Sequence, residues 1–272
     1  MGERCQKILK SYRHQEISQF DLKEATQLTN EFDLYLRIDD GSYSESIPSQ
    51  LHPYAWWISD THLKKPFKSI VINSRNCDHL FCCQKQGAKK LSAIIKKQVH
   101  WLAGAADELP NDFEFKSDRD KKWDICFIGT KGKYSLRKVI LENLKINYKS
   151  FHMGRAEIEE LSDYYSHGRI TVNYPINNDI NLRFFEAMSA GALVITHRII
   201  DNGFEEIFRD GKHLIVVDDI FQELKEKIDY YLKNIEEREK IAKTAFEYIH
   251  SRHTYRHRLI EMFKIMGYSL EQ

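Results

Sequence analysis

Residues Asn181 to Thr196, NLRFFEAMSAGALVIT, constrain the fold more tightly than any other stretch of the chain. The run divides into a helix-patterned half and a strand-patterned half, joined by Gly191. Leu182, Phe185, Ala187, Met188 and Ala190 are small or apolar and recur at helical spacing, whereas Asn181, Arg183 and Glu186 are polar. Gly191 is expected to end the helix, because a residue without Cβ enters the left-handed conformation cheaply. Ala192 to Ile195 is short, apolar and β-branched at its end, as a strand buried on both faces should be. Asn181 stands where an N-cap belongs, with a side-chain oxygen to accept from the first free amides. Helix N-termini attract anions, and Glu186 lies just over one turn further in. On periodicity alone, Glu186 reads equally well as a surface acid and as a ligand-binding carboxylate.

The chain has 272 residues, enough for two domains of ordinary size. An apolar share of 42% with 12% aromatics supplies cores for both. No apolar run approaches the ~20 residues that span a bilayer, and no segment behind Met1 resembles a signal peptide. A net charge of +1 gives no bulk drive toward nucleic acid or an anionic membrane. Five cysteines, with Cys82 and Cys83 adjacent, make no disulfide framework and fit a reducing, cytoplasmic location. Cys77, His79, Cys82 and Cys83 cluster, but adjacent residues on a strand point to opposite faces, so structural cysteines are expected there and not a metal site.

Strand and helix patterns alternate along the chain. Helices are expected over Met1–Arg13, over Leu22–Asn30 capped by Asp21, and over Gln84–Lys97. Strands are expected at His14–Phe20, Phe32–Ile38, Tyr54–Ile58, Lys68–Asn73, Asp78–Cys83 and Val99–Leu102. Leu109–Lys121, polar and proline-marked, reads as a linker. A second set follows, with strands at Trp123–Ile128, Phe151–Met153, Ile170–Tyr174 and His213–Val217 around the opening run. Its helices are Leu136–Leu144, Ile158–Tyr165, Phe221–Asn234, Glu236–Arg252 and about Tyr255–Met266. Such alternation implies an α/β fold with parallel sheets and crossover helices.

With that order and spacing, Ile180 to Asp218 (INLRFFEAMSAGALVITHRIIDNGFEEIFRDGKHLIVVD) resembles the donor-sugar half of a GT-B glycosyltransferase. The nearest likeness is to the spore-maturation-protein (CgeB-like) group, related to the family-4 enzymes. Tyr54–Ala106, with AWWISDTH and VHWLAGAAD, is similar to the second half of that family's acceptor domain. The resemblance implies two Rossmann-like domains facing a cleft: 1–108 on the acceptor side, 109–121 as linker, 122–254 binding the donor. It further implies a terminal helix, 255–272, that packs back on the N-terminal domain. The family opens with an apolar strand that is not seen here, so the N-terminal domain is expected to be reduced, with a gap where that central strand would sit.

The implied activity is transfer of a sugar from a nucleotide-diphosphate donor, UDP-linked, to an acceptor hydroxyl, with retention and without a metal or other cofactor. Gly129, Thr130, Lys131 and Lys133, in FIGTKGK between a strand and a helix, carry glycines for close backbone approach and lysines for phosphate charge. The loop lacks the GxxxxGK[ST] spacing of nucleoside triphosphatases. Arg137 matches a basic position in the relatives and suits a diphosphate, with Arg183 as the alternative phosphate ligand. Glu186 is implied to bind the ribose hydroxyls, and Glu205, Glu206 and Gly211 match further family positions. Family-4 enzymes carry a second glutamate eight residues earlier, where this chain has Asn178 followed by Asp179. Either residue is placed to meet sugar hydroxyls, and Asp179 equally to cap the helix. Asp60 and His62, after the strand of SDTH, are implied to line the sugar site, Asp60 as a base toward the acceptor. The pairs Asp39–Asp40 and Asp218–Asp219 read as loop acids. Two alternatives remain: a GT-B-fold sugar-nucleotide epimerase, and a non-catalytic nucleotide-sugar or partner-binding module. The acceptor is not legible, and a nucleic-acid partner is disfavoured.

Overall fold

The computed structural model describes residues 1–13, 16–38 and 41–270. The chain forms two compact units, Met1–Ala103 together with Tyr255–Gln272, and Gly104–Thr254.

In the first unit, β1 (Tyr35–Ile38), β2 (Tyr54–Ile58), β3 (His79–Cys82) and β4 (His100–Trp101) form a parallel sheet in that order. All five residues of β2, YAWWI, are buried, which fits a strand flanked on both sides. Arg37 lays its guanidinium 4.3 Å from the Trp56 ring centroid, and Trp57 donates its indole N–H to Leu102 O at 2.9 Å. The strands neighbour one another in chain order, so the expected central gap is absent. Around them lie α1 (Gly2–Leu9), α2 (Leu22–Ala25), α3 (Lys64–Asn73) and α4 (Lys85–Ile95).

The second unit has a five-stranded parallel sheet of β5 (Trp123–Ile128), β6 (Phe151–Gly154), β7 (Gly168–Asn173), β8 (Leu193–His197) and β9 (Ile215–Val217), ordered β6-β5-β7-β8-β9. Counted within the unit, this order is 2-1-3-4-5, and its direction reverses between β5 and β7. Such a reversal opens a crevice at the carboxyl ends of the two strands. Helices α5 (Leu136–Asn147), α6 (Leu161–Ser166), α7 (Leu182–Ser189), α8 (Phe204–Ile207), α9 (Glu223–Lys233) and α10 (Ile235–Arg252) connect and follow the strands. The core joins Ile125, Phe127, Val172, Leu193 and Ile195 of the sheet to Ile140 and Leu144 of α5 and Ile228 of α9. The last helix, α11 (Tyr255–Met266), belongs to the first unit and packs on α1, where Arg4 donates to the Tyr255 hydroxyl at 3.1 Å.

Three elements depart from the sequence reading. Lys68–Asn73, expected as a strand, lies inside helix α3, whose Phe67 and Ile70 are buried one turn apart. Pro66 falls in its first turn, where a missing N–H costs nothing. The helix expected over Leu22–Asn30 stops at Ala25 after an Asp21–Glu24 capping box. Beyond it the Tyr35 hydroxyl takes over the backbone, accepting from Glu31 N at 2.8 Å and donating to Thr29 O at 2.8 Å. Of the strand expected over His14–Phe20, residues 16–20 carry no regular structure, and His14 and Gln15 lie outside the described residues, as do Asp39 and Asp40.

Gly191 takes the left-handed conformation at φ +85°, and a Cβ there would stand 2.9 Å from the Phe115 ring. Within the stretch read as a linker, Lys121 is buried and donates to the carbonyls of Ser166, Gly168 and Gly191 at 3.3, 3.1 and 2.9 Å. It thereby holds the ends of α6 and α7 and the start of β7. Asp118 pairs with Arg169 and Arg238 beside it.

Candidate functional site

The crevice between β5 and β7 is built from backbone ends that side chains must satisfy. The carbonyl of Ile128, last residue of β5, accepts from Arg183 Nε at 3.1 Å and from the Tyr165 hydroxyl at 3.1 Å. Arg183, in the first turn of α7, also donates through Nη1 to Asn173 Oδ1 at 3.0 Å. Its guanidinium carbon lies 4.3 Å from the Phe127 ring centroid. Gly129 follows with φ +131°, and a Cβ there would meet Arg183 Nη2 at 2.5 Å. Only glycine allows both that backbone conformation and that approach.

Arg137, the second residue of α5, ties the two loops of the crevice together. Its Nε donates to Tyr174 O at 2.8 Å and its Nη1 to Thr130 O at 3.0 Å. Burial pushes its pKa down to about 10, the Arg183 charge pushes the same way, and Asp179 opposes them. Arg137 therefore stays protonated near neutrality while sharing the field of a second arginine. Two partly buried guanidiniums with the loop glycines make a polar, electropositive crevice suited to a diphosphate.

Glu186 is half-buried on α7, three residues after Arg183 and on the same helix face. Burial first, and then the Glu186 carboxylate, drive the Tyr165 phenol upward in pKa, against an opposing pull from Arg183. Arg137, Arg183 and Glu186, with Gly129 and Thr130, are thus brought to one strand-end cluster. Lys131 and Lys133 are exposed on the loop above, with the Lys133 ammonium 5.3 Å from the Tyr134 ring. Asp179 is buried.

Two residues take other partners than the sequence suggests. Asn181 occupies the N-cap position of α7, but its side chain makes no capping bond. It pairs instead with the buried Asn173, the two amides exchanging bonds at 3.0 and 3.3 Å. Asn178, at φ +53°, turns its amide onto the backbone of Ile200, donating to O at 2.7 Å and accepting from N at 3.0 Å. The second tether explains why this loop carries an asparagine: Asn tolerates left-handed backbone and offers both a donor and an acceptor.

Asn173 and Tyr165, which no motif singled out, complete the arginine cradle. A polar residue closing the run ITVN is the one sequence sign of the former. The rings of Tyr174 and His197, at the carboxyl ends of β7 and β8, also meet in a tilted pair with centroids 4.3 Å apart. A cavity of about 410 Å³ lies beside Glu205, Arg209, Lys212 and Tyr248, and none of Arg137, Arg183 and Glu186 lines it.

In the first unit, Asp60 (φ +54°) and His62 follow β2 at its carboxyl end. Tyr43 donates to Asp60 Oδ2 at 3.3 Å, and His62 Nε2 stands 3.9 Å from Asp60 Oδ1. His62 Nδ1 is buried without a hydrogen-bond partner. The five cysteines are buried thiols outside any disulfide, and burial raises Cys77 and Cys82 to about 12 and about 11.

A crevice lined by arginines at a strand-order reversal, with a carboxylate one helix turn away, agrees with comparison to known families. The model of the glycosyl transferase-like family matches residues 118–264, more than half of the chain. The chain belongs to that family. Among solved structures, S. aureus TarM is similar over 86% of this chain, at 11% identity and TM-score 0.59. HepE of Anabaena, solved with UDP-glucose, is similar over 79% of this chain and 72% of its own, at 9% identity and TM-score 0.59. Sucrose-phosphate synthase of Thermosynechococcus elongatus is similar over 80% of this chain and 68% of its own, at 15% identity and TM-score 0.55. These likenesses show the fold, an α/β fold with two parallel sheets of the GT-B class. The chain spans about half the length of TarM, 54% of it. No curated protein matches the sequence.

Proposed function

We propose that this glycosyl transferase-like chain transfers a sugar from a UDP-linked donor to an acceptor hydroxyl, and that the β5–β7 crevice holds the diphosphate. The observation that carries this reading is the pair Arg137 and Arg183, each fixed by strand-end groups and each with guanidinium N–H to spare. Diphosphate is a good leaving group, so the protein's task is to position it and neutralise the charge that develops on departure. Glu186, one turn deeper, supplies a carboxylate to accept from ribose hydroxyls. That HepE was solved with UDP-glucose, and pneumococcal GtfA with UDP and GlcNAc, supports a UDP-sugar as the donor.

The finer reading is that of the spore-maturation-protein group: a retaining, metal-independent, cytoplasmic enzyme in which Asp60 and His62 serve the sugar and acceptor. Asp60 would take the acceptor proton, and His62 is held beside it. Lys131 and Lys133 are free to close over the phosphates from the exposed loop.

A second reading has one specific observation behind it. The position of the family's earlier glutamate is Asn178, and its amide is committed to Ile200, which favours a module that binds nucleotide sugar without turnover. The test is UDP release from a panel of UDP-sugars, wild type beside Glu186→Ala. Release from one sugar that disappears in the variant supports the transferase. Binding of UDP-sugar with no release from any of them favours the module, and no binding at all overturns both.

A further inference from the structure

The overall charge of +1 conceals a strong local excess in the first unit. Between Leu63 and Ala106 stand nine lysines and arginines against a single acid, Asp78. That acid is already occupied, accepting from Tyr54 N at 2.7 Å and pairing with His52 at 2.6 Å. The excess is carried by α3 and α4, the crossovers from β2 to β3 and from β3 to β4. Right-handed crossovers stepping in one direction across a sheet put both helices on the same face. Their packing agrees, since the Lys90 ammonium of α4 lies 4.5 Å from the Phe67 ring of α3.

The outward stripe of this layer mixes charge with apolar surface. On α3, Lys64, Lys65 and Lys68 are exposed in line with Ile72, which is 68% exposed. On α4, Lys89 and Lys90 are exposed, and Ile94, itself 45% exposed, lies one turn after Lys90. None of Lys64, Lys65, Lys68 and Lys89 has an ion-pair partner among the described residues. Exposed isoleucines beside unpaired lysines give this face an aliphatic component as well as a positive one. We infer that the α3–α4 face docks on the surface of an anionic bilayer, the lysines meeting lipid headgroups and Ile72 and Ile94 entering the interface.

Charge complementarity gives the sign of the partner, and the isoleucines distinguish its kind. A nucleic acid would reward aromatic side chains on this stripe for base stacking, and the stripe has none. A headgroup layer rewards the combination present, basic residues flanking aliphatic ones on short helices lying in plane. Helices of 10 and 11 residues are too short to cross a bilayer, so the association is peripheral.

The experiment is vesicle sedimentation of the full chain, with phosphatidylcholine vesicles alone and doped with phosphatidylglycerol. Binding is expected only to the doped vesicles and should weaken with salt. The variant Lys64→Glu/Lys65→Glu/Lys68→Glu/Lys89→Glu should lose roughly a hundredfold or more in partitioning, at about fivefold per lysine near the surface. Acids in the first turn of α3 suit the helix dipole, and an unchanged melting curve would show that the variant is folded. The charge-neutral variant Ile72→Ser/Ile94→Ser should also bind less, which a purely electrostatic attraction would not produce. Equal partitioning on neutral and doped vesicles, no vesicle binding, or binding to a DNA duplex but not to vesicles would each overturn the inference.

Discussion

Replacing Arg137 by methionine separates the binding role of the crevice from its structural role. In the folded chain the guanidinium makes two bonds to backbone carbonyls, at 2.8 and 3.0 Å. Each is a bond from a charged donor, so losing both costs about 3–6 kcal/mol. Against this, burial and the Arg183 charge already hold the pKa of Arg137 near 10, which means the charged form sits there at a cost of about 3 kcal/mol. The two effects largely offset, so Arg137→Met should remain folded and lose no more than about 3 kcal/mol of stability. Binding has no such offset. A diphosphate deprived of one charge-assisted donor loses about 1.5–3 kcal/mol, a weakening of roughly 10- to 150-fold in Kd. Arg137→Lys should fall between, since lysine restores charge but not the fork. Calorimetric titration of UDP beside thermal melts reads both quantities. A stable Arg137→Met variant that binds UDP as tightly as wild type would refute the reasoning.

Gly129→Ala places a Cβ 2.5 Å from Arg183 Nη2 at a backbone φ of +131°. It should cost about 1–3 kcal/mol and weaken UDP binding together, as urea melts and calorimetry would show. Burial, with Lys212 and Arg209 beside it, lowers His213 to about 4, and its Nδ1 accepts from Arg209 N at 3.3 Å. As pH falls from 6.5 the unfolded chain takes up this proton and the folded chain does not, so stability is lost from pH 6.5 down to about 4, by at most about 3 kcal/mol. His213→Asn keeps an acceptor at the Nδ1 position, and its urea midpoint should be flatter over that range. An identical pH slope in the two proteins would remove His213 from the account. Lys121→Met strips three buried carbonyls of their donor but also relieves the burial that lowers this ammonium to about 8, and the net should be a loss of about 2 kcal/mol in urea melts. A variant as stable as wild type would show that relief from burying the ammonium balances the lost bonds.

What the sequence revealed depended on the range of the interactions. Strands such as Trp123–Ile128 and Tyr54–Ile58 were legible because their burial on both faces is written into consecutive apolar residues. Gly191 was legible because a left-handed helix end is a local requirement. Lys68–Asn73 was misread because three consecutive positions, Ile70 to Ile72, favour a strand locally while burial of Phe67 and Ile70 at helical spacing decides the outcome. At the site, Gly129 was picked out by its strand–loop–helix frame, whereas Arg137, Arg183 and Glu186 were singled out by family resemblance; the fold places all four at the same strand ends. The cradle around them was not legible. Asn173 reaches Asn181 across a loop, and Asn178 reaches Ile200, 22 residues away. Such pairings follow from how loops meet at the strand ends, and short-range pattern contains nothing of that.

The most direct test of the account is a calorimetric series of uridine, UMP and UDP on the wild-type chain. If Arg137 and Arg183 grip a diphosphate at the β5–β7 crevice, affinity should climb with each phosphate. The step to UDP should be worth about 1.5–3 kcal/mol for each charge-assisted hydrogen bond that the second phosphate makes, and less at high salt. Uridine binding as tightly as UDP, or no binding by UDP, would contradict the claim that this crevice is the donor site.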